Sequence, residues 1–144
     1  MRVALVSCVK AKLQKPAPAR DLYTSQLFQG LRAYATAHTD RWYILSAEHG
    51  LLQLDQIVAP YERTLNRMPV RDRLRWASRV QSQLQATLPR AATVVILAGK
   101  PYREHLTPFL RANGFEVTIP LEGLSIGKQL QYLKSNINGA HPAI

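Results

Sequence analysis

Four short apolar runs constrain this chain more than anything else in it: Val3–Val6, Trp42–Leu45, Thr93–Leu97 and Phe115–Ile119. Each is too short for a helix. The first three are continuous rather than alternating, as expected of strands buried on both faces of a parallel sheet, and the fourth also reads as a strand. Helical periodicity fills the intervals. Asp21 opens a helix in which Leu22, Leu27, Leu31, Tyr34 and Ala35 recur at helical spacing through Ala37. Asn66 is placed to cap, and Pro69 to open, a second helix from Val70 to Leu88. That helix is expected to bury Leu74, Ala77, Val80, Leu84 and Leu88, and Pro89 ends it. A third helix is read from Tyr102 to Ala112, closed by Asn113-Gly114, and a last one from Ser125 to Ile137. Leu54 to Pro69 sustains no period and reads as an irregular segment with one helical turn, anchored by Ile57, Val58, Tyr61 and Leu65.

Strands alternating with helices predict a three-layer α/β/α sandwich around a four-stranded, mainly parallel sheet. The expected strand order is 2-1-3-4, with a switch point between strands 1 and 3, and ligands in such sheets bind beyond the carboxyl ends of the strands. Residues 1–138 are read as one domain and 139–144 as a loose tail.

The segments just past those carboxyl ends hold the chemistry. Ser7, Cys8, Lys10 and Lys12 follow the first strand; Ser46, Glu48 and His49 follow the second; Gly99 and Tyr102 follow the third; Glu122 and Gly123 follow the fourth. Glu48 beside His49 supplies a carboxylate and an imidazole, the pair that general acid–base chemistry requires. Cys8 near two lysines is a candidate nucleophile, because neighbouring cations favour the thiolate. Ser7, Lys10, Lys12, Ser46, Gly99, Tyr102, Glu122 and Gly123 are candidate substrate contacts. So are Tyr23 and Ser25, placed by this reading in the first turn of the first long helix, where phosphates dock readily.

Charge narrows the partner. The formal net charge is +10, and 13 of the 19 basic residues are arginine, the side chain whose planar fork suits phosphate. Arg63, Arg67, Arg71, Arg75 and Arg79 recur every fourth residue. On a helix, Arg71, Arg75 and Arg79 drift by only about 40° per step, so they share a face and Arg73 lies off it. The stripe reads as a nucleic-acid backbone contact or otherwise as plain solubility charge, and the expected partner is nucleic acid, DNA in preference to RNA, or a nucleotide. A single cysteine excludes a disulfide framework and a Cys-rich zinc site. No phosphate-binding Gly-x-x-x-x-Gly-Lys-Ser/Thr loop and no metal-ligand spacing occurs, so no cofactor or metal is expected. No apolar run approaches the roughly 20 residues that span a bilayer, and no signal peptide is read, which predicts a cytoplasmic protein without a membrane partner.

The motifs also carry a resemblance. Ser7-Cys8-x-Lys10, Pro16-Ala17-x-Ala19-Arg20-x-Leu22-Tyr23-x-Ser25, Leu45-Ser46-Ala47-x-His49-Gly50-Leu51-Leu52, Pro60-Tyr61, Gly99-x-x-Tyr102 and Pro120-Leu121-x-Gly123-x-x-x-Gly127 stand in this order along the chain. Together they resemble a family of small bacterial and phage proteins known as a domain of unknown function. That family is distantly similar to the YaaA-like peroxide stress proteins, which bind DNA, and to the core domain of archaeosine synthase, which acts on a modified base in tRNA. The resemblance implies a uracil-DNA glycosylase-like sheet. It also implies an enzyme acting on a nucleobase or its glycosidic bond in nucleic-acid modification, repair or stress response. A DNA-binding stress protein without catalysis and a small-nucleotide sensor are the alternatives.

The stripe yields a direct test. Replacing Arg71, Arg75 and Arg79 together with Gln is expected to weaken DNA binding. It should also flatten the dependence of log K on log salt by roughly one unit per lost phosphate contact. Titrations at several salt concentrations measure both, and an unchanged slope removes the stripe from the binding surface.

Overall fold

The computed structural model describes residues 1–7 and 11–136. Its strands are β1 (Arg2–Val6), β2 (Ala17–Pro18), β3 (Arg41–Ser46), β4 (Gly50–Leu52), β5 (Ile57–Val58), β6 (Thr93–Leu97) and β7 (Glu116–Thr118). Its α-helices are α1 (Ala19–Leu22), α2 (Gln26–His38), α3 (Val70–Thr87), α4 (Lys100–Arg103), α5 (Thr107–Ala112) and α6 (Ile126–Asn136), with a 3₁₀ turn at Leu65–Arg67. The central sheet runs β4-β3-β1-β6-β7, and β2 pairs with β5 in a separate small ladder. β1 lies between β3 and β6 and is parallel to both; β7 continues the parallel set beyond β6. β4 is antiparallel to β3.

The register divides the core. Ala4, Val6, Trp42, Ile44, Val95 and Leu97 belong to one buried cluster, with Phe28, Leu31, Tyr34 and Ala35 of α2 and Leu133 of α6. Leu5, Leu45, Val94 and Ile96 belong to the other, with Trp76, Ala77, Val80 and Leu84 of α3, Tyr102 of α4 and Leu110 of α5. Alternate residues of a strand face opposite sides of the sheet, so helices cover both faces. Val3 to Val6 are fully buried, which is why the strand sequence is continuously apolar. Leu84 has no exposed surface, and truncating such a side chain costs about 2–5 kcal/mol.

Several elements depart from the sequence reading. The sheet has five strands rather than four, because Gly50-Leu51-Leu52 folds back on β3 where a loop was expected. The first long helix does not start at Asp21. α1 stops at Leu22, Tyr23 takes an extended conformation, and Ser25 caps a new helix by accepting from the Phe28 N–H at 3.0 Å. In α3, Leu74 is 49 % exposed and Trp76 is buried in its place. At about 100° per residue, Leu74 sits to one side of the arc that Trp76, Ala77, Val80 and Leu84 turn inward. Pro69, not Asn66, occupies the N-cap of α3, and Asn66 lies inside the 3₁₀ turn. The expected helix from Tyr102 to Ala112 is two short helices, since Pro108 lacks the N–H that would carry one helix through. The expected tail, 139–144, lies outside the described residues.

The β3–β4 hairpin turns on Gly50, whose φ is +74°, a region that L side chains rarely adopt. A Cβ there would also collide with Oε1 of Gln83, the atom that accepts the Leu51 N–H at 2.9 Å. Gly114 has a φ of +87° with nothing within 4 Å of a built Cβ. Gly114→Ala is therefore expected to lose about 1 kcal/mol from backbone strain, and Gly50→Ala about 1 kcal/mol more through displaced Gln83. Urea unfolding of the two variants checks the difference; equal losses would mean that Gln83 moves aside freely.

Candidate functional site

Ser46 ends β3 fully buried and organises the turn that follows. Its Oγ accepts the N–H of Glu48 at 3.2 Å and that of His49 at 3.0 Å. Its carbonyl accepts Nε1–H of Trp76 at 2.8 Å. The Glu48–His49 turn is thereby held between the sheet and α3. Beside it the phenol oxygens of Tyr23 and Tyr61 lie 2.6 Å apart.

Tyr23 reaches this position because the chain breaks helix there. Residues 11–13 run alongside it: Leu13 N–H donates to Leu22 and Thr24 N–H to Ala11, both at 2.9 Å, with a bridge between Lys12 and Tyr23. The pairing holds the Lys12 ammonium 4.6 Å from the Tyr61 ring centroid and 5.8 Å from that of Tyr23, within cation–π range. His49 packs edge to face with Tyr61 at 5.6 Å. Burial pushes the Tyr23 phenol far above its ordinary range, and the Tyr61 hydroxyl adds to the effect. Burial likewise raises Tyr61, and neighbouring hydroxyls, Tyr23 among them, pull partly back. Both phenols are neutral donors at physiological pH.

Beside this cluster lies a cavity of about 800 Å³. Its walls are two segments, Ala11 to Gln14 and Pro60 to Arg67, with Lys12, Tyr61, Thr64, Asn66 and Arg67 among the lining side chains. Tyr61, Thr64, Asn66 and Gln14 were not among the sequence candidates. The Pro60-Tyr61 pair was the available signal, but Tyr61 read equally well as an apolar anchor of an irregular segment.

The other candidates fall as follows. Ser7 is buried after β1, its N–H donating to Leu97 at 3.1 Å. Cys8 and Lys10 lie outside the described residues. Tyr23 is 1 % exposed and packs on Phe28 at 5.1 Å, so it does not open a helix toward solvent; Ser25 is a helix cap. Tyr102 is buried edge to face against Trp76 at 5.6 Å. Its hydroxyl accepts the Leu65 N–H at 3.3 Å, which makes it a core residue rather than a platform for a stacked base. Gly99 is the N-cap of α4. Glu122, 63 % exposed, pairs with Arg103 at 3.9 Å, and Gly123 is exposed in the same turn. None of Gly99, Tyr102, Glu122 and Gly123 lines the cavity. Among the described residues, no group of three or more His, Cys, Asp or Glu is placed to hold a metal ion. No described helix is long and apolar enough to cross a membrane.

The arginines occupy the neighbouring surface. Arg71, Arg75 and Arg79 are exposed on α3. Arg73 is turned away, its Nε donating to the Leu65 carbonyl at 3.0 Å and its guanidinium 3.7 Å from Glu104. Arg63, Arg75 and Arg79 line a shallow groove with Ala47, Met68, Asp72 and Trp76. Arg67 faces the cavity instead. Arg63 lies 3.8 Å from the Glu48 carboxylate, and Arg79 donates to the Glu48 carbonyl at 3.1 Å.

Comparison with known proteins bears on this arrangement. Residues 3–135 match the model of a family of unknown function, DUF6884. The chain belongs to that family. It is 28 % identical over 149 residues to the uncharacterized protein YfjM of Bacillus subtilis strain 168, covering 97 % of each chain. The match takes in β1, the Ser46–His49 turn, both cavity walls and α3. The cavity and the arginine face thus both belong to the part of the chain the family shares.

The tyrosines give this DUF6884 member an alkaline limit. Tyr34 is pushed up to about 12 by burial and by Tyr132, and Tyr23 and Tyr61 are raised too. Below the ordinary value of 10, folded and unfolded chains are equally protonated. Above it the unfolded chain ionises first, so the stability these buried phenols contribute is lost as pH rises from about 10 through their folded values. Each adds up to about 1.4 kcal/mol of loss per pH unit. Urea midpoints across this range should fall less steeply for Tyr23→Phe, and tyrosinate absorbance should appear late. Equal slopes for both proteins would show that Tyr23 ionises while folded.

Proposed function

We propose that this protein binds nucleic acid, DNA in preference to RNA, through the arginine face of α3, and acts on a base or its glycosidic bond beside the Glu48–His49 turn. The supporting observation is the junction at Glu48: Arg63 approaches its carboxylate and Arg79 its carbonyl, while the next residue, His49, packs against a wall of the cavity. A strand whose phosphates follow Arg71, Arg75 and Arg79 passes that turn. A base taken out of the stack pays a few kcal/mol and needs a pocket to receive it. The cavity has room for a nucleotide unit.

Hydrolysis of an N-glycosidic bond breaks the bond from sugar carbon to base nitrogen, joins a water oxygen to that carbon and leaves a proton on the base. Glu48 and His49 are the groups assigned to orient the water and deliver the proton. The reading carries with it a uracil-DNA glycosylase-like sheet, a cytoplasmic setting and a role in modification, repair or stress response. One observation favours a binding protein without catalysis: the Glu48 carboxylate already faces Arg63, as a purely structural ion pair would. A nucleotide sensor would use the cavity alone.

Release of free base from oligonucleotides carrying uracil, oxidised or deaminated bases, followed across the titration range of histidine, separates the readings. His49→Ala and Glu48→Gln are expected to lower turnover by about 10²–10⁴-fold with affinity nearly intact. The triple arginine variant should do the reverse. Tight, salt-sensitive binding with no base released from any substrate establishes the binding protein instead.

A further inference from the structure

We propose that the Lys12–Tyr61 corner of the cavity is a phosphoryl subsite, binding the phosphate of a nucleotide rather than its base. The inference deepens the reading above and rests on it.

A serine hydroxyl has one proton to give and two lone pairs to fill. Both lone pairs of Ser46 Oγ are taken by the N–H groups of Glu48 and His49. Ser46 therefore has no lone pair left to accept a tyrosine proton. Tyr23 is 1 % exposed and 2.6 Å from Tyr61, so its proton is committed inside the pair. Two phenols linked by one bond leave one O–H over, and Tyr61 is the phenol that lines the cavity. The raised phenols keep that donor protonated at neutral pH.

What this donor meets is set by charge. The Lys12 ammonium stands 4.6 Å from the same ring, and Arg67, Asn66 and Thr64 share the cavity wall. Against two cations stands the carboxylate of Glu62. With Lys12 over the Tyr61 ring and His49 and Tyr23 packed against it, that ring is taken as a surface for base stacking. A neutral donor, two cations and side-chain amide and hydroxyl groups suit anionic oxygen, where hydrogen bonds are about twice as strong as between neutral partners.

The test uses the full chain and four probes: uridine, uridine 5′-monophosphate, inorganic phosphate, and oligothymidylate with or without a terminal 5′-phosphate. Calorimetry should show the monophosphate binding at least about ten-fold more tightly than uridine, with phosphate competing. Tyr61→Phe and Lys12→Met should each reduce the monophosphate affinity about ten-fold or more and leave that of uridine nearly unchanged. Should Tyr61→Phe lose cooperative unfolding, Lys12→Met carries the same comparison. A gain from the terminal phosphate identifies a strand end as the source; monophosphate binding without that gain identifies the free nucleotide. Equal binding of uridine and its monophosphate, or equal loss of both in the variants, overturns the subsite. Oligothymidylate binding with no affinity for the monophosphate or phosphate also overturns it, while leaving the nucleic-acid reading in place.

Discussion

A strand buried on both faces cannot tolerate a polar side chain along its length, so polar residues collect where the strands stop. β1, β3 and β6 run parallel and stop at one edge of the sheet. Ser7 and Ser46, both buried, are the first polar residues at that edge, and their hydrogen-bonding needs have to be met there. Ser46 meets them by gathering the turn behind it and the Trp76 indole of α3. The site arises where burial of the sheet ends and polar groups must find each other.

This origin explains what could be read from sequence. β1, β3 and β6 were legible because double-sided burial forces a continuous apolar run, and β7 from its place after the Asn113-Gly114 stop. β4 was not, since three residues bounded by a glycine give too little pattern to distinguish a strand from a loop. The break at Tyr23 was hidden because Leu22 and Leu27 keep helical spacing across it. The Glu48–His49 turn was legible from its composition and its place after a strand. Tyr61 was not: its partner Tyr23 is 38 positions away, and nothing local tells a tyrosine that anchors a loop from one that ends a hydrogen-bond chain. Tyr102 failed in the opposite direction, its exposed-looking position at a helix start concealing a packing contact with Trp76.

Two electrostatic environments meet at Glu48. On the α3 side, arginines stand in solvent, where their influence is long-ranged and weakened by salt. On the cavity side, hydroxyls, the Lys12 ammonium and the Arg67 guanidinium act over short distances, where geometry is more exacting. On the proposed reading, the first environment would capture a polyanion and the second would discriminate among small groups, with Glu48 and His49 adjoining both.

Gln83 shows how the same helix protects the sheet. Its Oε1 accepts the Leu51 N–H of the outermost strand, a donor that a neighbouring chain would otherwise pair with. Open strand edges are templates for growth of one molecule onto another. By spending a side-chain amide on that single N–H, α3 turns the short outer strand into a dead end for polymerisation.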